Sequence, residues 1–297
     1  MWNRFILNSA AIAARLLPMP VKQALYHLPV LSGLIRRGLN RAVDQGLMEV
    51  TVAAGGLVGM HLSLDLQTEK DYWLGTYEPV LQNAIQDWVH PGMVAYDIGA
   101  NIGYLTLLLA REVGPEGQVF AFEALPANLE RLAGNLALNK MEEKVSVVNA
   151  AVTDRSAPIQ FLVGPSGGMG KAAGSAGRQG IAYTETITVS GIALDDFVYN
   201  DGNPAPQVVK MDIEGGEVLA LPGMKRVLSE AYPLILLELH GPEAARVAWE
   251  MLTGAGYEIC HMQPGYPLVT RLEELDWKAY VVAKREGGRM VDKGTRK

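Results

Sequence analysis

Apolar and polar positions alternate from Glu49 to Val52 and again from Met60 to Leu66, on either side of Gly55-Gly56. That pattern predicts a two-stranded hairpin with one covered face. The period then changes: Val80, Leu81, Ala84, Ile85 and Trp88 recur at helical spacing, and Pro91-Gly92 stops the helix. From there short apolar runs and helical stretches take turns, with strands at 93–98, 118–123 and 145–149 and helices at 102–110 and 128–139. Further strands are predicted at 159–163, 186–190, 208–213, 234–239, 257–262 and 279–283, with helices at 216–230 and 242–255 between the later ones. Strands alternating with helices predict an α/β fold, a parallel sheet with helices on both faces. The stretch 164–183, dominated by glycine and small residues, has too little apolar content for a packed element and reads as a loop, either a lid or an insert. The chain divides into a helical arm and hairpin over 1–68, an α/β domain over 69–285 and a polar tail over 286–297.

Composition narrows the classes. A chain of 297 residues that is 49% hydrophobic and 20% charged can bury a large core, which excludes disordered and fibrous architectures. Lys+Arg 26 against Asp+Glu 32 gives a net charge of −6, which argues against nucleic acid as a partner. With Cys260 as the one cysteine, neither an intrachain disulfide nor a thiolate metal cluster can form, and a reducing, cytoplasmic setting is expected. The first fifty residues run against the overall charge, carrying Arg4, Arg15, Lys22, Arg36, Arg37 and Arg41 against Asp44 and Glu49. Their apolar runs are shorter than the roughly 20 residues of a bilayer-crossing helix, and Pro18, Pro20 and Pro29 interrupt them. Neither a membrane span nor a cleaved leader is expected. Residues 1–45 are expected to pack on the body, to pair two copies as a homodimer, or to lie on the inner face of an anionic membrane.

The chemistry begins at Asp97-Ile98-Gly99-Ala100-Asn101-Ile102-Gly103, where the first core strand turns into the first core helix. Gly99 permits the tight turn and Gly103 the close approach of helix to strand. The Gly-x-x-x-Gly spacing differs from the motif that wraps a dinucleotide pyrophosphate. Asp97 would repel a pyrophosphate and welcome an ammonium. Glu123 ends the second strand, the place from which a carboxylate reaches both hydroxyls of a ribose. A cationic nucleoside carrying an amino acid, S-adenosylmethionine, satisfies all three features.

Through these residues the chain resembles the FkbM family of S-adenosylmethionine-dependent methyltransferases. The resemblance runs from about Tyr72 to Arg285 and rests on five stretches in order: Gly75-Thr76-Tyr77-Glu78-Pro79, Asp97-x-Gly99-Ala100-Asn101-x-Gly103, Phe122-Glu123-Ala124-x-Pro126, Asn149-Ala150-Ala151-Val152 and Lys210-Met211-Asp212-Ile213-Glu214-Gly215-x-Glu217. It implies a seven-stranded Rossmann-like sheet with its last strand inserted antiparallel, and methyl transfer to hydroxyls of sugars and secondary metabolites. It also implies donor contacts from Glu78, Asn101, Ala124, Asn149, Ala150 and Asp212, beside Asp97, Gly99, Gly103 and Glu123.

Two charged stretches remain at strand ends. In Lys210-Met211-Asp212-Ile213-Glu214, alternation sends the charged residues to one side, with Asp212 expected near the transferred methyl and Glu214 or Glu217 orienting the acceptor. In Leu237-Glu238-Leu239-His240, the imidazole of His240 is the expected general base, on the strength of its near-neutral pKa. The alternative is a divalent cation held by Asp212 and Glu238, less favoured because a third oxygen ligand is missing from the sequence pattern. The expected activity is therefore O-methylation of a saccharide, glycolipid or small metabolite. The rival readings are N-methylation on the same fold and a membrane-associated binding protein with a vestigial cofactor site.

Overall fold

The computed structural model describes residues 46–165, 169–178, 180 and 182–285, with positions 9, 12, 13 and 15–17 of the arm. The remaining expectations for residues 1–45, and those for 286–297, lie outside the described residues. The predicted hairpin forms from β1 (Leu47–Thr51) and β2 (His61–Asp65), antiparallel with Glu49 opposite Ser63. Its inner positions Leu62 and Leu64 are fully buried in an apolar core, because period-2 alternation puts them on one face. A short helix, α1 (Lys70–Leu74), and α2 (Pro79–Trp88) lead into the sheet.

Units of strand and helix follow as predicted: β3 (Val94–Ile98), α3 (Tyr104–Glu112), β4 (Gln118–Glu123), α4 (Pro126–Leu138) and β5 (Val145–Asn149). Between β5 and the second half of the sheet lie β6 (Ala151–Val152), β7 (Ile159–Val163), β8 (Gly170–Ala172), β9 (Glu185–Val189), β10 (Gly191–Ile192) and α5 (Leu194–Tyr199). The second half is β11 (Val208–Met211), α6 (Glu217–Ala220), β12 (Leu234–His240), α7 (Pro242–Gly254), β13 (Tyr257–His261) and β14 (Lys278–Arg285).

Seven strands form one sheet in the order β5-β4-β3-β11-β12-β14-β13. The first five run parallel, and β14 enters antiparallel to both β12 and β13. This is the Rossmann-like sheet with the inserted last strand that the sequence resemblance implied. Alternate strand residues feed two separate cores. Ala95, Val119, Val208 and Leu236 pack beneath α2 and α3, whereas Tyr96, Phe120, Val209 and Leu237 face α5 and α7. A strand buried on both faces reads as a continuous apolar run, which is why these strands were legible.

Two expectations fail. The helix expected over 216–230 breaks into α6, a 3-10 turn at Leu221–Met224 and a π-helical turn at Val227–Ala231. Pro222 removes a backbone donor, and Gly223 lets the chain touch the Thr153 carbonyl, an approach that a Cβ would block. The stretch 164–183 holds a packed element after all. β8 pairs with β7, which also pairs with β9, and Ala172 is buried. The burial comes from small side chains, which carry too little apolar signal to predict it.

Candidate active site

The order of strands reverses between β3 and its neighbours β4 and β11, and a cleft opens at their carboxyl ends. Gly99, Asn101, Glu123, Ala124, Ala150, Asp212 and Glu214 all line it, so most of the sequence-predicted donor residues meet in one place. The turn after β3 requires unusual backbone. Gly99 has φ +79 and rests against the Asp212 carbonyl, leaving no room for a Cβ, and Asn101 takes the left-handed conformation at φ 51. The amides of Asn101, Ala124 and Leu125 donate to the Glu123 carboxylate at 2.8, 3.0 and 2.8 Å. Burial nevertheless raises the Glu123 pKa, with those amides opposing the rise. The result is a carboxylate fixed in direction at the mouth of β4. Phe161, Met169 and Ala172 supply an apolar wall from the β7–β8 side, of which Met169 and Ala172 were hidden in the glycine-rich stretch.

Asp97 has a different position from the one expected. It is fully buried beneath the turn, accepts a hydrogen bond from Thr106 Oγ1 at 2.6 Å and pairs with Lys210 Nζ at 2.9 Å. Lys210 also donates to the Gly99 carbonyl at 2.9 Å. Asp97 is therefore the anchor of the turn, and its charge is already matched by Lys210. Gly103 serves packing, its φ of +92 starting α3 against Leu132. Asn149 lies exposed at the end of β5, outside the cleft lining. Glu78 is also outside it, accepting from Tyr280 Oη at 2.6 Å and facing Lys278 at 3.7 Å.

Beyond Asp212 the cleft meets a cluster of charged side chains. His240 sits at the end of β12 with Nε2 3.0 Å from Glu238 Oε1 and 3.8 Å from both Asp212 Oδ1 and Glu214 Oε2. Its Nδ1 faces the fully buried Glu217 at 3.4 Å. Burial alone would lower the imidazole pKa, but the hydrogen bonds to Glu217 and Glu238 outweigh it and lift the pKa to about 10. Against the expectation of a near-neutral imidazole at His240, the carboxylates of Glu217, Glu238 and Asp212 favour its protonated form. Asp212 moves the other way from a normal carboxylate. Its burial, only partly offset by Lys210, pushes it up to about 7.

Lys278 completes the cluster, with Nζ 2.5 Å from Glu238 Oε1. The sequence hid it because its place depends on the antiparallel register that sets Lys278 opposite His240. The donor atoms of Asp212, Glu238 and His240 lie within 4.8 Å of one another, a spacing at which a metal ion could be held. In the described arrangement Lys278 and the imidazolium are the cations on Glu238.

Fold and site together define a doubly wound α/β sheet with a cleft at the carboxyl ends of its strands and a charged cluster beside it. The chain belongs to the FkbM methyltransferase family, since the model of the methyltransferase FkbM domain matches residues 97–259. Among curated proteins it is 27% identical over 147 residues to the hexuronic acid methyltransferase AglP of Haloferax volcanii, covering 50% of this chain and 56% of that protein. It is 45% identical over 42 residues to a protein-L-isoaspartate O-methyltransferase of Triticum aestivum, covering 14% of this chain and 18% of that one. The chain thus spans less than two thirds of the length of either relative. A solved structure of methyltransferase FkbM from Methylobacillus flagellatus KT matches at 18% identity and a TM-score of 0.42, covering 74% of this chain and 54% of that chain.

Proposed function

We propose that the chain is an S-adenosylmethionine-dependent O-methyltransferase acting on a hydroxyl of a saccharide, glycolipid or small metabolite. The observation that carries the reading is the continuity of one cleft from the fixed Glu123 carboxylate to Asp212 and Glu214. The similarity to a hexuronic acid methyltransferase supports a sugar acceptor. S-adenosylmethionine, when bound, supplies a methyl group on a sulfonium, which leaves as a neutral thioether once its carbon is attacked in line. Glu123 would hold the ribose hydroxyls, and the Gly99–Asn101 turn would fit against the amino-acid portion.

Asp212 is the proton acceptor in this reading. A base works best when its pKa lies near the operating pH, and Asp212 is pushed up to about 7 at the inner edge of the cleft. As the acceptor oxygen forms its bond to the methyl carbon, its proton passes to Asp212 Oδ1. His240, held cationic, keeps Asp212 and Glu238 oriented and offsets their charge. Lys278 and the imidazolium already neutralise Glu238, so the transfer is proposed to need no divalent cation.

Methyl-labelled donor offered with a panel of glycosides and amines, followed by mass spectrometry of the products, tests the assignment. A methyl ether on a hydroxyl supports it. The excess of carboxylates around Asp212 would also hold an ammonium, so methylation confined to the amines would establish the N-methyl reading instead. Calorimetric titration that finds no donor binding would point to a vestigial site.

A further inference from the structure

Beside the carboxylate cluster lies a surface outside the lining of the cleft. Trp277 keeps 43% of its surface exposed, although its ring lies beside buried His240 in a T-shaped pair with centroids 6.4 Å apart. Its backbone is held on both sides. The Gly241 amide donates to the Trp277 carbonyl at 2.6 Å, and the next residue, Lys278, grips Glu238. The indole nitrogen packs over Gly241, where an added Cβ would meet it at 3.6 Å.

Arg178 approaches the same ring, its guanidinium carbon 5.8 Å from the centroid. Among the described residues no carboxylate pairs with it, whereas Lys210 is held by Asp97 and Lys278 by Glu238. Its segment is tied down. The Ala176 amide donates to the Gly215 carbonyl at 2.9 Å, and the buried Lys171 ammonium donates to the carbonyls of Ala176 at 3.1 Å and Arg178 at 3.4 Å. Gly177 packs against the Glu214 carbonyl with no room for a side chain on that face. The platform is therefore built onto the same turn that carries Glu214.

We propose that Trp277 and Arg178 are the specificity-determining residues for the acceptor, the indole stacking on the face of a sugar ring and the guanidinium binding a carboxylate carried by that sugar. The inference rests on the O-methyltransferase reading of this site and deepens it to acidic sugars. The chemistry of each surface points the same way. An exposed aromatic face suits the C–H face of a pyranose, Asp212 and Glu214 accept hydrogen bonds from hydroxyls, and a planar unpaired guanidinium matches a carboxylate with two parallel bonds. Lysine in that place would offer a point charge without the fork.

The full-length chain loaded with S-adenosylhomocysteine, titrated with methyl β-glucuronoside and methyl β-glucoside by saturation-transfer NMR, tests this. The glucuronoside is expected to bind at least tenfold tighter than the glucoside. Arg178→Ala should erase that preference and leave glucoside affinity unchanged. Trp277→Ala should weaken both at least tenfold, Trp277→Phe should recover most of the loss, and S-adenosylhomocysteine affinity should stay within twofold in every variant. Equal or undetectable binding of the two glycosides to the parent overturns the proposal, as does a preference that survives Arg178→Ala or stacking that survives Trp277→Ala. Product analysis in the same samples with S-adenosylmethionine separates the two readings. Hydroxyl methylation without the acidic preference removes the platform alone, and methyl appearing only on added amines removes the O-methyltransferase reading.

Discussion

At the scale of single residues, the exchange of roles between His240 and Asp212 has a measurable sign. A base at Asp212 gives a kcat/KM that rises with pH through about 7, and loss of the imidazolium brings a decline as pH approaches about 10. A base at His240 would keep activity low until pH 10. Asp212→Asn should lower turnover by about 10² or more while donor affinity holds, the usual scale for a positioned base, and steady-state kinetics beside calorimetry checks both halves. Because the folded pKa of His240 is raised, its contribution to stability is complete below pH 6.5 and is lost as pH climbs toward 10. Thermal melts across that window should therefore decline in the parent. Glu123→Gln should weaken S-adenosylmethionine binding about tenfold to a hundredfold, since a carboxylate's charge-assisted bonds to ligand hydroxyls are worth roughly 1.5–3 kcal/mol. The sequence disclosed these residues by type and position at strand ends, yet not their protonation. That depends on which four carboxylates surround one imidazole, and they come from the turn after β11, α6 and β12.

At the scale of elements, the pairing of β11 with β3 sets Lys210 directly opposite Asp97. Both side chains are buried, so removing one leaves an uncompensated charge. Lys210→Met is expected to cost about 3–5 kcal/mol of folding stability, and Asp97→Asn in the same chain to restore part of it, read from urea unfolding curves. The strands of the central sheet were readable because burial on two faces leaves unbroken apolar runs such as Leu234 to Leu237. The 216–230 segment departs from a single helix for a physical reason. Its apolar positions keep helical spacing, but the periodicity says nothing about the contact between Gly223 and Thr153 that forces the tighter turn. β8 was invisible for the opposite reason, since Gly170, Lys171 and Ala172 earn their strand only by lying against β7.

At the scale of the whole molecule, every described residue that lines the proposed donor cleft falls between Tyr77 and Gly216. Deleting residues 1–45 should therefore leave S-adenosylmethionine affinity within about threefold, well under 1.4 kcal/mol. Sedimentation of both forms with and without anionic vesicles would show whether the basic arm serves a membrane or a second subunit. No helix among the described residues is long and apolar enough to cross a bilayer. The proposed acceptor side is the least legible part of the molecule, because Trp277, Lys278 and Arg178 are brought to the neighbourhood of His240 from distant stretches by strand insertion and loop packing. That insertion also sets an order of events during synthesis. The donor half has left the ribosome by Gly216, whereas Lys278 follows on the order of seconds later at ordinary elongation rates. Until it arrives, β12 and β13 each present an open edge toward the gap that β14 will fill. Unpaired edges recruit other chains. A premature stop near residue 270 should accordingly yield insoluble protein, seen as loss from the supernatant after lysis, and β14 then acts as a late bolt that closes the sheet against self-association.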